Sequence, residues 1–303
     1  MTRVSIIGFP SSAGSYAAGQ DLAPMALRNA GLVQSLSGAG HEATDRGDLL
    51  EQVWHPDRDH PRAQNAAEVV EGLRQLTEAL RAPLVEDDVV LVLGGNCTVT
   101  LAVMAALAEL SSDPPGLAYV DRHFDLNTPE STTDGALDWM GLGHALDLPG
   151  SLDELAGAFG ARPLMEASQV AWLGVDAALA RDWEREQASR LELVVQSLAE
   201  LAADPQHAAA TALAALPRGP LAVHLDVDVL DFTDAPLAEN TDGRNSGPTL
   251  DQLEAALLRL SSDPRFRVLS IGELNPTRSA GDPDAIPRFV KTIAKALAQS
   301  QRT

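Results

Sequence analysis

The chain has 303 residues, with 43 Asp and Glu against 22 Lys and Arg, which gives a formal net charge of −21. This charge opposes binding to nucleic acid or to an anionic membrane surface, and it suits cationic ligands or metal ions. A single cysteine, Cys97, excludes an internal disulfide framework and favours a cytoplasmic protein. We expect neither a signal peptide nor a membrane span, because no apolar stretch approaches the ~20 residues that a bilayer requires.

Short apolar or β-branched runs bounded by Gly, Asp or Pro predict six buried strands. In chain order they are RVSIIGF, DVVLVLGG, LAYVD, QVAWLGV, LAVHLDVD and FRVLSIGEL. Ala- and Leu-rich segments of helical length alternate with them at residues 63–81, 98–110, 205–216, 250–261 and 284–299. This alternation predicts an α/β fold with a mostly parallel central sheet that helices cover on both faces. A ligand site in such a fold lies beyond the carboxyl ends of the strands.

The acidic, proline-containing segment at residues 51–64 is a candidate linker between two domains. A surface loop inside one domain is the better interpretation of so short a segment. We therefore predict a single domain over residues 1–303.

Metal-binding side chains follow the third predicted strand. Asp121, His123 and Asp125 occupy alternate positions in DRHFD, so they converge on one point if the chain stays extended there. Acidic residues at a strand end also cap helices and form turns without any metal. For this triplet alone, both interpretations stay open.

A second acidic cluster follows the fifth predicted strand. Asp226 and Asp228 end LAVHLDVD, and Asp231 and Asp234 lie beyond them. Both clusters should open on the same edge of a parallel sheet. Carboxylates gathered in a low-dielectric site repel one another unless cations neutralise them. Oxygen ligands with some imidazole suit Mn²⁺, and a metal pair can generate hydroxide at neutral pH, which predicts a hydrolase.

Two further strand ends carry candidate residues. Cys97 follows GGN at the start of the next predicted helix, where it is either an inert buried thiol or a thiolate whose pKa the helix N-terminus lowers. Glu273 follows the last predicted strand, where it either points to the same edge or lies in solvent.

Four motifs in chain order resemble the arginase/agmatinase (ureohydrolase) superfamily along nearly the whole chain. GGNCT resembles the family's Gly-Gly-Asp-His-Ser, DRHFD its Asp-Ala-His-x-Asp, HLDVDVLD its Ser-x-Asp-x-Asp-x-x-Asp, and GELNP the segment with its substrate-facing glutamate. The resemblance implies a three-layer α/β/α sandwich of the arginase type. It also implies a homo-oligomer with a binuclear Mn²⁺ centre that hydrolyses guanidino compounds to an amine and urea.

The resemblance implies a role for each matching residue. The implied metal ligands are Cys97, Asp121, His123, Asp125, Asp226 and Asp228. Among them, Asp121 and Asp226 would bridge the two ions, and Asp125 would also act in catalysis. Glu273 would hold the guanidinium nitrogens of the substrate. Asn127 and Thr132 match positions of the loop that contacts the backbone of an amino-acid substrate.

The sequence departs from the family pattern at the first metal. Cys97 stands where the family has a metal-binding histidine, and Asn96 replaces the neighbouring aspartate. A thiolate ligand adds negative charge, so water at the centre becomes a weaker acid and a thiophilic ion competes better. We therefore expect the first site to bind Mn²⁺ weakly or to take another divalent ion.

Other departures concern the substrate. Asp138 stands where the family has the histidine proposed to shuttle protons to the leaving amine, and a carboxyl with its ordinary pKa is a poor acid at pH 7. His144 is either its substitute or a half-buried helix residue without a catalytic role. In LGVDAALARD, Asp176 is the only candidate for the family's acidic contact to a substrate α-amino group. The segment APLAENTDGRNSG replaces the usual Pro-Gly-Thr-Gly-Thr-Pro loop.

These departures favour a guanidine less basic than arginine. The Cys-for-His exchange is similar to the branch of the family that hydrolyses Nω-hydroxy-L-arginine to hydroxyurea and ornithine, and this compound is the expected substrate. Arginine, agmatine and other guanidino acids stay open. So do two other classes of function: a degenerate ureohydrolase fold that acts as a non-catalytic binding or regulatory partner, and a thiol hydrolase with Cys97 as its nucleophile.

Overall fold

The computed structural model describes residues 2–297. Within that range eight strands form one sheet, in the order β2-β1-β3-β8-β7-β4-β5-β6. Their bounds are β1 Arg3–Gly8, β2 Glu42–Asp48, β3 Val89–Leu93, β4 Gly116–Val120, β5 Val170–Val175, β6 Val194–Ser197, β7 Leu221–Asp226 and β8 Phe266–Gly272. All neighbouring strands run parallel, which confirms the mostly parallel sheet expected from the sequence.

Eleven α-helices lie around the sheet in the described range. They are α1 Ala23–Asn29, α2 Leu32–Gly38, α3 Ala66–Val85, α4 Val99–Leu110, α5 Gly141–Ala145, α6 Asp153–Ala156, α7 Asp182–Arg190, α8 Leu198–Ala203, α9 Pro205–Ala215, α10 Leu250–Ser261 and α11 Ala285–Leu297. The five predicted helices correspond to α3, α4, α9, α10 and α11. The last two residues of the predicted segment 284–299 lie outside the described range. None of the helices described combines the length and apolarity of a membrane span.

Two apolar cores separate the helices into layers. Side chains of a strand alternate between its two faces, and in β3 Val89 and Leu91 enter one core while Val90 and Val92 enter the other. The first core also contains residues of α1, α2 and α8 to α11. The second contains residues of α3 to α6. Helices on both sides of the sheet make the three-layer α/β/α sandwich that the sequence predicts.

The two strands that the sequence analysis missed, β2 and β6, are the edges of the sheet. Edge strands pair on one side only, so they need less apolar sequence than interior strands. The sequence of β2 is EATDRGD, which contains no continuous apolar run. The segment 51–64 contains neither a helix nor a strand, and Gln52 within it forms a parallel bridge with Ser11.

Candidate metal centre

Four neighbouring strands in the middle of the sheet, β3, β8, β7 and β4, deliver the candidate residues. Asp121 directly follows β4, Asp226 is the last residue of β7, and Glu273 directly follows β8. Cys97 follows β3 through a turn in which Gly95 has φ 80°, and a Cβ added there would lie 2.6 Å from Phe9 Cδ1. Parallel strands end at one edge, so these four side chains meet at one rim of the sheet.

The ligand atoms form two groups. Each of Asp121, His123, Asp226 and Asp228 offers an atom within 4.8 Å of the others, and Cys97, Asp121 and Asp125 do the same. His123 Nδ1 lies 3.1 Å from Asp228 Oδ2 and 3.5 Å from Asp121 Oδ1. Cys97 Sγ lies 3.8 Å from Asp121 Oδ2 and 3.2 Å from Asp226 Oδ2. Asp121 belongs to both groups, so the geometry suits two adjacent cations that share this carboxylate.

The alternate spacing of Asp121, His123 and Asp125 suggested that the chain stays extended after β4. In the structure it does not. The strand ends at Val120, the His123 amide donates to Asp121 Oδ1 at 2.6 Å, and Asp125 has φ 55°. A turn therefore separates the side chains, and it sends His123 to one ligand group and Asp125 to the other. The three residues flank a pair of sites and do not meet at one point.

Burial sets the protonation of the carboxyl groups. It raises the pKa of Asp121, Asp125 and Asp226 above the ordinary value, and neighbouring carboxylates add to the increase. Burial opposes the ionised form of Asp228 as well, but adjacent His123 holds the pKa of Asp228 below its usual range. The charged forms are disfavoured here because the centre concentrates negative charge away from water.

The residues present fit divalent cations. Asp228 Oδ1 is buried and has no hydrogen-bond partner among the described residues, and an unsatisfied buried carboxylate oxygen is costly. Carboxylate, imidazole and one thiol are the donor types that bind Mn²⁺ and related ions. A cation at each group would satisfy the free oxygen and offset the repulsion between Asp121, Asp226 and Asp228.

The thiol of Cys97 is completely enclosed. It is 2% exposed, and burial together with nearby Asp226 raises the pKa of Cys97 well above the usual value. In the metal-free protein, burial and the surrounding carboxylates therefore favour the protonated thiol and oppose the thiolate that a helix N-terminus would favour. Cys97 also precedes α4, which begins at Val99. A protonated, enclosed thiol is a poor nucleophile.

Two buried aromatic side chains, Tyr119 and His224, contact the ligand residues. Tyr119 donates its hydroxyl hydrogen to Asp125, and its ring stacks on His224 with 5.1 Å between centroids. His224 Nε2 lies 3.4 Å from Cys97 Sγ, and its Nδ1 lies 2.9 Å from Ser270 Oγ. Burial lowers the pKa of His224 to about 3, so this imidazole is neutral. Such contacts hold ligands in a fixed orientation.

Arg122, which the sequence analysis passed over, connects the site to the loop after β7. Its guanidinium is 1% exposed and donates to the Asp228 carbonyl at 2.9 Å, the Leu230 carbonyl at 3.3 Å and the Ser246 carbonyl at 2.6 Å. Gly243 allows this approach, since a Cβ there would lie 2.1 Å from Arg122 Nη1. Its position between Asp121 and His123 in DRHFD was the available signal.

Glu273 is held in a defined position beside Cys97. Its φ is 64°, a left-handed conformation that costs energy for a residue with a side chain. The Cys97 amide donates to Glu273 Oε1 at 3.3 Å, and Gln20 donates its side-chain amide to Oε2. Burial raises the pKa of Glu273 well above its ordinary value, and Asp138 adds to this increase.

A cavity of about 310 Å³ lies over the ligands. The residues lining it include Tyr16, Cys97, His123, Asp125, Asp134, Asp138, Trp139, Asp226, Asp228, Asn240, Asp242 and Glu273. Its volume suits a small molecule. The sequence motifs predict the ligands, Asp138 and Glu273 at this site, but they give no signal for Tyr16, Trp139 or Asp242.

Asp138 differs from His144 in its relation to this cavity. Asp138 lines the cavity, and burial raises its pKa from 3.8 to about 7. The ordinary pKa assumed for Asp138 from the sequence is therefore wrong. His144 lies in α5, fully buried, with Nδ1 2.7 Å from the Met140 carbonyl oxygen, and burial lowers its pKa to about 4. A neutral histidine enclosed in this way is poorly suited to proton transfer with a bound substrate.

Asn127 and Thr132 occupy the loop before the cavity. Asn127 lines a smaller adjoining cavity, and its Oδ1 accepts a hydrogen bond from Ser131 at 3.1 Å. Thr132 is 4% exposed, and its Oγ1 accepts the Asp134 amide at 3.1 Å. Thr132 therefore supports the turn that leads to Asp134.

Three other acids named from the sequence stabilise turns. Asp176 Oδ1 accepts the amide of Ala178 at 3.1 Å. Asp231 Oδ1 accepts the amide of Thr233 at 2.8 Å, and Asp234 Oδ2 accepts the amide of Leu250 at 2.8 Å. Each of these carboxylates is already satisfied by backbone donors.

A parallel α/β sheet with carboxylates, imidazole and a thiol at its carboxyl edge defines a metal-dependent enzyme. Comparison with known proteins gives the family. A family model described as the arginase family matches residues 2–297, so the chain belongs to the arginase family. It is a ureohydrolase, a binuclear-metal amidinohydrolase, and the suggestion of a non-catalytic relative is set aside.

Individual relatives agree with this assignment. The chain is 30% identical to arginase of Brevibacillus brevis over 242 residues, which are 77% of this chain and 78% of that protein. It is 30% identical to arginase-1 of Oryctolagus cuniculus over 173 residues, or 57% of this chain and 53% of that one. The crystal structure of Bacillus cereus arginase has a similar fold, with a TM-score of 0.83 at 23% identity over 99% of this chain and 98% of that chain.

Proposed function

We propose that this enzyme hydrolyses the guanidino C–N bond of Nω-hydroxy-L-arginine and releases hydroxyurea and ornithine. The observation that carries the proposal is the convergence of two ligand groups on Asp121 beneath a cavity, with Cys97 in one group. The cavity wall contains Asp138 and Glu273, which are suited to act on a guanidino group.

The proposed ion-binding residues are Cys97, Asp121, His123, Asp125, Asp226 and Asp228, and the proposed ion is Mn²⁺. When bound, a pair of divalent cations makes water acidic and stabilises negative charge that develops during attack on the substrate. Cys97 contributes a softer donor than an imidazole would, so we expect the first site to select against Mn²⁺ more strongly than the second.

Asp125 and Glu273 position the reactants. Asp125 accepts a hydrogen bond from Tyr119 and lines the cavity, so its carboxylate is oriented to accept a proton from an attacking water molecule. Glu273 lies beside Cys97, whose backbone amide donates a hydrogen bond to its carboxylate. A guanidinium that displaced the Gln20 amide from Glu273 would gain a charge-assisted pair of hydrogen bonds.

Asp138 is the proposed proton donor to the leaving amine. General acids work best when their pKa lies near the working pH, and burial raises the pKa of Asp138 to about 7. Ornithine is the leaving amine for both arginine and Nω-hydroxy-L-arginine, so this carboxyl can serve both substrates alike. An N-hydroxylated guanidine is less basic and is therefore easier to attack at neutral pH.

The assay is a panel of L-arginine, Nω-hydroxy-L-arginine, agmatine and 4-guanidinobutyrate, with release of urea or hydroxyurea measured before and after Mn²⁺ is added to chelated protein. Metal per chain is measured by mass spectrometry in the same preparations. We expect one to two ions per chain and the highest kcat/KM for the hydroxylated substrate. A higher kcat/KM for arginine overturns the substrate assignment.

Two further results would decide against the mechanism. Turnover that survives complete chelation and stops when Cys97 is alkylated would support a thiol hydrolase. Failure to hydrolyse every guanidine at full metal loading would overturn the proposed activity.

We further propose one domain per chain and a homo-oligomer. Light scattering on the metal-loaded protein tests the oligomeric state.

A further inference from the structure

The cavity over the metal ligands continues toward the start of α7. A smaller cavity of about 70 Å³ shares His123, Asp125 and Trp139 with the larger one, and Leu179 and Arg181 line its wall. A ligand with its reacting carbon near the metal ligands could therefore extend its other end toward Arg181. The side chain of Leu179 is apolar, so it cannot provide a charged partner for that end of the ligand.

Arg181 is oriented by stacking, while its hydrogen-bond donors remain available. Its Cζ lies 4.5 Å from the centroid of the Trp139 ring. The stack occupies a face of the guanidinium and leaves its N–H edge free. Among the described residues, no carboxylate lies within ion-pair distance of Arg181 and no acceptor takes its side-chain donors. In contrast, Arg185 on α7 already donates to Asp182 at 2.5 Å.

Arg181 is also the one arginine or lysine among the described residues that line either cavity. Asp134 and Asp138 line the larger cavity, and Glu184 and Asp242 line the smaller one together with Arg181. Arg181 is therefore the group in these walls that can attract an anionic end of a substrate. A carboxylate in direct contact with Arg181 gains paired, charge-assisted hydrogen bonds. Salt screens the repulsion from the surrounding acids over about 8–10 Å.

We propose, on the basis of the hydrolytic function above, that Arg181 binds the carboxylate of the substrate. The enzyme then selects guanidino acids over guanidino amines that lack a carboxylate. Arg181 is a specificity-determining residue in this assignment, because it contacts the end of the substrate remote from the bond that breaks. Trp139 positions it and does not itself discriminate.

The first test compares agmatine with L-arginine and Nω-hydroxy-L-arginine in the manganese-loaded wild-type protein and in Arg181→Gln. Decarboxylation is the sole difference between arginine and agmatine. We expect Arg181→Gln to raise KM for both carboxylated substrates by about 10- to 100-fold with little change in kcat, as for loss of a charged hydrogen bond. KM for agmatine should change less than about threefold.

Two matched variants accompany this comparison. Arg181→Lys keeps the charge without the planar fork, so it should recover part of the preference. Arg190→Ala removes an exposed arginine at the last residue of α7, the helix that Arg181 precedes, and should leave the preference intact. An equal loss for arginine and agmatine in Arg181→Gln, or no loss for either, overturns the proposal.

A second test does not depend on turnover. L-Ornithine and putrescine also differ by one carboxylate, and calorimetry measures their binding to the manganese-loaded protein. We expect the wild-type protein to bind ornithine at least about tenfold more tightly, and Arg181→Gln to lose this difference. Equal affinities in the wild-type protein overturn the role of Arg181, whereas absence of guanidine hydrolysis overturns only the proposed activity.

Discussion

His224 Nε2 lies 3.4 Å from the Sγ atom of Cys97, in a space closed to solvent. A neutral imidazole therefore sits directly against the thiol that would bind the first cation. This contact limits the space for a larger side chain at position 97. The thiol is the softest donor among the ligand residues, because the others offer oxygen or nitrogen.

The first prediction concerns the identity of the first ion. In Cys97→His, we expect tighter Mn²⁺ binding and a shift of kcat/KM toward arginine, because an imidazole is neutral and adds no charge to the carboxylate cluster. Overpacking against His224 should reduce the free energy of unfolding by about 1–3 kcal/mol. Competition titrations of Mn²⁺ against Cd²⁺ test the donor change. Unchanged affinity for both ions would exclude Cys97 as a ligand.

The second prediction concerns Asp228. Asp228→Ala removes the partner of His123, 3.1 Å away, and should reduce kcat by at least about 100-fold while metal content falls. Far-ultraviolet circular dichroism should be unchanged. Asp231→Ala is the matched control, since that carboxylate accepts the Thr233 amide at 2.8 Å in the same segment. Turnover by Asp228→Ala at the wild-type rate would contradict the assignment.

The third prediction is a pH profile set by Asp138. Burial raises its pKa to about 7, so the fraction able to donate a proton falls about tenfold for each pH unit above that value. We expect kcat to decline on this alkaline limb in the wild-type enzyme. Asp138→Asn should be slower and should lose the limb. Asp134→Asn, a change in the same cavity wall, should keep it.

The same group affects stability. The carboxyl of Asp138 titrates near 3.8 in the unfolded chain and near 7 in the folded protein, so the folded state binds the extra proton between those values. Its contribution to stability is present at low pH and is lost as pH rises from about 4 to about 7, by up to about 1.4 kcal/mol per unit. Denaturation of metal-free protein and of Asp138→Asn across this range measures the difference. Parallel curves would contradict the shifted pKa.

The fourth prediction concerns Arg122 as a positioning residue. Arg122→Ala leaves the carbonyls of Asp228 and Ser246 without their donors. We expect the free energy of unfolding to fall by about 1–3 kcal/mol and Mn²⁺ affinity to fall about 10- to 100-fold. Gly243→Ala should act in the same direction, because its Cβ would lie 2.1 Å from Arg122 Nη1.

The control for Gly243→Ala is Gly281→Ala, where the added methyl group meets nothing within 4 Å. Calorimetric titration with Mn²⁺ separates the metal effect from the loss of stability. If both Arg122→Ala and Gly243→Ala bind Mn²⁺ as the wild-type protein does, Arg122 serves the fold alone.

The sequence predicts the interior of the sheet well because interior strands must be apolar on both faces. For β3, VVLVL is sufficient evidence. The edge strand β6, VVQS, is too short for that signal. Pairing with β5 therefore determines β6 more than its own composition does.

Candidate ligands are recognisable from the sequence because strand ends in a parallel sheet share an edge, and Asp121 and Asp226 lie there. The turn that separates His123 from Asp125 is not recognisable, since it depends on the left-handed backbone at Asp125. Arg181 was also missed. The sequence around Arg181 does not reveal which aromatic ring its side chain stacks on or which cavity it faces.

The position of the ligand-bearing strands has a consequence for how the protein opens. Strands β3, β8, β7 and β4 are flanked by further strands on both sides. Fraying in native proteins begins where backbone hydrogen bonds are least covered, so amide hydrogens of β2 and β6 should exchange with solvent first. Amides beside Asp121 and Asp226 should exchange only on global unfolding, which means that a partly opened molecule would keep the proposed metal ligands together.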